Sequence, residues 1–191
     1  MELELLRKTF PRRAEKISIH SEEANSFLQH WCQSTDWRNT RAVVFLDPYG
    51  MQVEWKTIEA LGCTQGVDLW ILFPVGQAVN RLLTRAQPPT GAWANRLTSF
   101  FGIDDWKEAF YQKRSDLTLF GPENSIEKDA DFDSIEQYFI RRLETVFAKA
   151  AKNPLPLFNS RNVPIFLLCF AAANPKGANT AVKIAQNILG K

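Results

Sequence analysis

The chain has 191 residues, 45% of them apolar and 23% charged, so one globular domain with a sizeable core is expected and intrinsic disorder is excluded. Its 23 basic and 21 acidic residues leave a net charge of +2, too even for capture of nucleic acid by bulk charge, although a local basic face stays open. Cys32, Cys63 and Cys169 lie far apart with no C-x-x-C spacing, which argues against a zinc site or a disulfide framework and makes a reducing cytoplasm the simplest setting.

The start, M-E-L-E-L-L-R-K, lacks the apolar core of a signal peptide. Glu2 to Phe10 reads as a helix with Leu3, Leu6 and Phe10 on one side, closed by Pro11. Lys16 to His20 alternates as a short strand does. A second helix follows from Ser21 to about Cys32, with Phe27, Leu28 and Trp31 at helical spacing. After a polar loop, Arg41 to Gly50 reads R-A-V-V-F-L-D-P-Y-G. An apolar run ended by turn residues predicts a strand buried on both faces, as in a parallel sheet.

Val53 to Gly62 is predicted as a short helix and Val67 to Pro74 as the next buried strand, which makes a βαβ unit. Both strands run into a proline and then a glycine, Asp47-Pro48-Tyr49-Gly50 and Phe73-Pro74-Val75-Gly76. The two turns are expected side by side on one edge of the sheet. Residues 77–153 are too long for a plain connection and read as a helical insertion, a lid over the strand ends. Its helices are expected around Val79 to Leu83, Trp93 to Phe101, and Trp106 to Phe110 behind Asp104. A longer one follows behind Asp133 or Ser134, with Gly121 to Asp131 as a polar loop between the last two. Leu155 to Asn159 and Val163 to Ala171 predict an antiparallel hairpin. Asn174-Pro175 opens a terminal helix with the stripe Ala178, Ala181, Val182, Ala185, Ile188 and Leu189. The longest apolar stretch, Ile165 to Ala173, is too short to span a bilayer, so no membrane is expected.

The chemistry-bearing candidate is the turn after the first buried strand. Open α/β sheets bind ligands at the carboxyl ends of their strands, where Asp47 and Tyr49 stand. An acid followed by proline and an aromatic can accept hydrogen bonds from an amino group while the ring stacks on a planar substrate. Amino-group methyltransferases use a D/N-P-P-Y/F/W turn in this way, and the match here is partial because the second proline is missing and glycine follows the tyrosine. The bland reading is a strand-ending turn in which Asp47 satisfies backbone N–H groups. Asp47 and Tyr49 are therefore the candidate catalytic residues, and Pro48 and Gly50 of the same turn are candidate substrate-binding residues. Asn80 and Arg81, just beyond the second turn, are candidate substrate-binding residues; Arg81 suits a phosphate or carboxylate. Whether Arg81, Arg85 and Arg96 converge is open at this stage. His20 and His30 lack matching ligands, so no metal site is expected.

Four stretches taken together, V-F-L-D-P-Y-G-M-Q-V-E-W, V-D-L-W-I-L-F-P-V-G-Q-A-V-N-R-L-L, F-G-I-D-D-W-K-E-A-F-Y and I-F-L-L-C-F-A-A-A-N-P, closely resemble the three-Cys-motif partner protein family, TcmP, in order over nearly the whole chain. The resemblance implies a Rossmann-like α/β fold of the class I S-adenosylmethionine-dependent methyltransferase type. It also implies a radical-SAM-like three-Cys-motif protein as partner, with a nucleic-acid-linked role compatible with the turn chemistry. It exposes a departure too. Family members begin with a strand and a glycine-rich turn of the type F-I-D-L-F-A-G-P-G, then a second strand ending in an acid, and this chain resembles a member lacking that cofactor-cradling third. The strand carrying Val43 to Leu46 is then expected to keep an unpaired edge that Lys16 to His20 or another chain could occupy, with self-association as the consequence. The chain is thus expected to be a methyltransferase-like module, a non-catalytic interaction protein or a truncated gene remnant.

Overall fold

The computed structural model describes residues 2–118 and 121–190. The chain opens with helix α1 (Glu2–Thr9) and a 3-10 segment, Pro11–Lys16. The side chains of Leu3 and Leu6 lie outside what is described, and Phe10 is exposed. Lys16 to His20 forms no strand. His20 instead lays its ring against Phe27, centroids 4.6 Å apart, at the entry to α2 (Ala24–Ser34).

The sheet is built from β1 (Ala42–Leu46), β2 (Val67–Phe73), β5 (Lys149–Ala150), β6 (Leu155–Phe158) and β7 (Pro164–Ala172). Helix α3 (Trp55–Cys63) joins β1 to β2, which run parallel in the register Leu46↔Ile71, so the βαβ unit is present. β7 lies antiparallel on the other side of β2, and both β5 and β6 pair antiparallel with the far edge of β7. The order β1-β2-β7-β5 thus mixes one parallel pair with antiparallel neighbours. The architecture is mixed α/β, and the terminal hairpin read from the sequence is β6–β7.

Strand periodicity sorts the two faces of the sheet. Val67, Leu69, Ile71 and Phe73 point into the larger core with Cys169 and Ala171. Trp70, Phe170 and Ala172 point the other way and pack on α8 (Ala178–Leu189) through Val182, Ala185 and Leu189. The larger core is covered by α2, α3 and the insertion. There Phe73 stacks on Phe139 at 4.1 Å, and Phe100 lies parallel to both.

The insertion departs from the all-helical expectation. It begins with a π turn, Val75–Val79, and a single helical turn α4 (Asn80–Leu82), followed by α5 (Gly91–Phe101) and α6 (Trp106–Phe110). An antiparallel hairpin, β3 (Tyr111–Thr118) with β4 (Gly121–Lys128), then stands where a polar loop was expected. Its ladder is a backbone matter. Residues such as Gln112, Lys113 and Arg114 carry no period-two apolar signal, so the sequence pattern could not announce it. The base of the hairpin is anchored: Lys128 donates its N–H to the Arg85 carbonyl at 2.8 Å, and the Tyr111 hydroxyl donates to the Thr84 carbonyl at 2.8 Å.

Helix α7 (Phe132–Glu144) is capped by Asp131, two residues before the expected Asp133. Its carboxylate accepts the Ser134 N–H at 2.8 Å while the Ser134 hydroxyl accepts the Asp131 N–H at 2.9 Å, a reciprocal capping box. Asp105 rather than Asp104 precedes α6, and Gly177 precedes α8. Pro175 sits in the turn before α8 instead of at the first helical position, because Asn174 closes that turn with its carbonyl accepting from both Gly177 and Ala178.

β1 departs from its expected burial on both faces. Leu46 is buried and Val44 packs on the larger core, yet Val43 is 70% and Phe45 58% exposed. Helix α8 packs against β7 and β5, so it covers the middle of its face and leaves β1 bare. Ile184 and Ile188, on the open side of α8, are exposed as well, which removes Ile188 from the expected apolar stripe.

Candidate functional site

Because β1 and β2 are parallel, the turns that follow them emerge at the same end of the sheet. Leu46 is the last buried residue of β1. Asp47 is exposed, Pro48 is buried, and Tyr49 is 86% exposed with its ring free in solvent. Gly50 takes a left-handed φ of 66°, which a side chain would strain, and it turns the chain back so that Met51 and Val53 re-enter the core. Asp47 makes no hydrogen bond or ion pair among the described residues, so the bland reading, a carboxylate tied up by its own turn, does not describe it.

A set of polar groups that sequence reasoning passed over holds this turn in place. Asn25, in the first turn of α2, accepts the Glu54 N–H at 2.9 Å and the Thr57 hydroxyl at 2.8 Å through Oδ1, and donates Nδ2 to the Gln52 carbonyl at 2.9 Å. Gln29, one helical turn later, donates to the Thr57 hydroxyl at 2.9 Å, so the fully buried Thr57 is satisfied from both sides. Glu23 caps α2 by accepting the Asn25 and Ser26 N–H groups, and those bonds hold its carboxyl down to about 2. The only trace of this cluster in the sequence is an acid and an asparagine at a helix start. Partners some thirty positions downstream are invisible to local pattern.

Beside the turn lies an open cavity of about 570 Å³. Gly50 and Met51 form one wall, and Ala78, Arg81 and Leu82 after β2 form a second. Ala92, Trp93 and Arg96 of α5 form the third. Arg81 and Arg96 thus converge, whereas Arg85 stands at the hairpin base, where burial of Lys128 and, after it, the charge of Arg85 lower the Lys128 pKa. Neither Arg81 nor Arg96 has a hydrogen-bond or ion-pair partner among the described residues. Trp93 is 52% exposed and lies along the rim. Among the described residues no carboxylate lines the cavity.

Asn80 is not part of this cavity. Its Oδ1 accepts from the Lys128 ammonium, a bond that ties the hairpin to the turn after β2. Asp47, Pro48 and Tyr49 belong to the same turn as Gly50 but do not line the cavity themselves. The arrangement is a cationic, partly apolar hollow with an exposed tyrosine ring and an unpaired carboxylate at its side. Among the described residues no group of His, Cys, Asp and Glu could hold a metal ion. Burial pushes the Cys32 thiol up to about 11 and Cys169 well above its ordinary value, so neither is a ready nucleophile. Among the described residues no helix is long and apolar enough to cross a membrane.

Comparison of the chain with family models, with curated proteins and with solved structures finds no match.

Proposed function

We propose that this chain supplies the substrate-binding side of a methyltransferase-like module. The substrate we infer is a planar, amino-bearing ring attached to an anionic group, as in a nucleotide or a nucleic-acid strand. The observation that carries the reading is the convergence of Arg81 and Arg96 on a cavity walled by Gly50 of the Asp47–Gly50 turn, at the carboxyl ends of two parallel strands. Two unpaired guanidinium groups suit phosphate oxygens. A carboxylate has lone pairs for both hydrogens of an amino group, which is the role assigned to Asp47. The Tyr49 ring and the rim residue Trp93 offer flat faces for stacking.

The described residues do not fit S-adenosylmethionine as well as they fit such a substrate. The cofactor carries a sulfonium and an ammonium beside its carboxylate, and the described lining offers two arginines and no acid to balance those two cations. The residues of this chain bind and orient the acceptor, and the resemblance to TcmP assigns the cofactor's cradle to a glycine-rich turn that this sequence does not contain.

Titration calorimetry with a single-stranded oligonucleotide and with adenosine monophosphate tests the reading. Binding that weakens by about tenfold on Arg81→Ala or Arg96→Ala, the loss of one charge-assisted contact, is the expected result. Binding indifferent to both substitutions, or no heat with either ligand, overturns it. The β1 edge, without a strand partner among the described residues, and its exposed Val43 and Phe45 favour a second reading, an interaction protein that works with a radical-SAM-like three-Cys-motif protein. Co-purification with such a protein is the expected outcome there, and failure to associate counts against it.

A further inference from the structure

Among the described residues, the outer side of β1 has no strand partner. One hydrogen bond sets the phase of its backbone. Ala42 donates its N–H to the Gly66 carbonyl at 3.0 Å, so Ala42, Val44 and Leu46 turn their N–H and C=O groups toward β2. Val43 and Phe45 turn theirs outward. The side chains of Arg41, Val43, Phe45 and Asp47 share one face by the period of two, and all four residues are exposed.

Along that face the order is Arg, Val, Phe, Asp. The order is complementary to its own reverse. When a second strand of the same sequence runs antiparallel about Val44, each Val43 stands opposite a Phe45 and each Arg41 opposite an Asp47. The outward N–H and C=O groups of residues 43 and 45 then meet in hydrogen-bonded pairs. Slipping by one residue sets outward groups against inward ones. Slipping by two sets Arg41 opposite Phe45, or Asp47 opposite Val43, and strands the charges.

We propose that this edge docks a second copy of the chain, β1 against β1, in the antiparallel register centred on Val44. The contact is isologous, as a two-fold dimer requires, and it joins two five-stranded sheets into one. Aromatic–β-branched and opposite-charge cross-strand pairs both favour it. Arg41 spends Nη1 on the carbonyls of Trp37 and Thr40, at 2.9 and 2.6 Å, which leaves Nη2 for the other copy's carboxylate. Asp47 has no competing partner among the described residues of its own chain. The dimer would bring Arg41 of one copy to the turn at the ligand edge of the other. The proposal stands whether or not any reaction occurs there.

Analytical ultracentrifugation over a dilution series is the test. The unaltered chain is expected to dissociate reversibly from dimer to monomer. Arg41→Asp alone and Asp47→Arg alone each turn two opposite-charge pairs into like-charge pairs, so each is expected to raise the dimer dissociation constant by about tenfold or more. The double exchange, R41D with D47R, is expected to restore it. Phe45→Pro removes an outward donor without touching the ladder to β2 and is expected to give a folded monomer by circular dichroism. A monomer at every concentration, assembly that grows past the dimer, or single and double charge variants that behave alike would each overturn the proposal.

Discussion

Phe73 and Phe45 stand near the ends of neighbouring parallel strands in similar apolar runs, and their surroundings are opposite. Phe73 is fully buried in a stack with Phe100 and Phe139, and Phe101 closes on it at a tilt. Phe45 is mostly in water. The difference lies in what covers each face. β2 is flanked by strands on both sides and by helices above and below, whereas β1 is covered on one face only. An apolar run thus states that a segment can be buried; neighbours decide whether it is.

The closed region should break hardest. Phe139→Ala empties the centre of the aromatic stack and is expected to cost about 3–5 kcal/mol in urea unfolding. A loss much below that would mean that the insertion packs loosely on the sheet. Gly102→Ala is expected to come next. Gly102 ends α5 with a φ of 79°, and an added Cβ would lie 2.0 Å from Cδ1 of the buried Trp55, whose ring is also stacked under Arg142. Strain and clash together are expected to cost roughly 2 kcal/mol or more, above the range for a merely less favourable glycine replacement.

Asp68, on β2 beside the open face, should respond to pH. Burial raises its carboxyl above the ordinary carboxylate range. Between the unfolded and folded values the native chain binds the proton more tightly, so stability falls as pH rises through that window. Asp68→Asn is therefore expected to raise the melting temperature slightly near pH 7 and to leave it unchanged at about pH 3, below both values. Equal shifts at both pH values would point to packing as the cause. The smallest effect belongs to the open face. Phe45→Ser, measured at a concentration low enough to hold the chain monomeric, is expected to change stability by no more than about 0.5 kcal/mol. A cost comparable to that of Phe139→Ala would show that the face is covered in solution.

The candidate site divides in the same way. The Asp47–Gly50 turn was legible because an apolar run, a proline and a glycine are local signals, and the parallel βαβ unit followed from spacing. Arg81 was picked out as an anion-binding residue, but its companion Arg96 was only one of several lid arginines. Asn80 and Arg81, adjacent in sequence, have separate fates: one ties the hairpin, the other faces the cavity. The Asn25 clamp was not legible at all, since its bonds reach Gln52, Glu54 and Thr57 across the fold.

By itself the sequence determined a mixed α/β chain, its two buried-type strands with their proline–glycine turns, the β6–β7 hairpin and the helices α2, α3, α5, α7 and α8. Each of these is written in residues close enough to set a period or a cap. Only the tertiary structure decided that 111–128 is a hairpin, that Lys16 to His20 is no strand, that Arg81 and Arg96 share a hollow, and that Val43 and Phe45 leave one face of β1 exposed. These are contacts between residues distant in the chain. Backbone ladders without apolar alternation, and burial set by what lies opposite, leave no mark on local pattern.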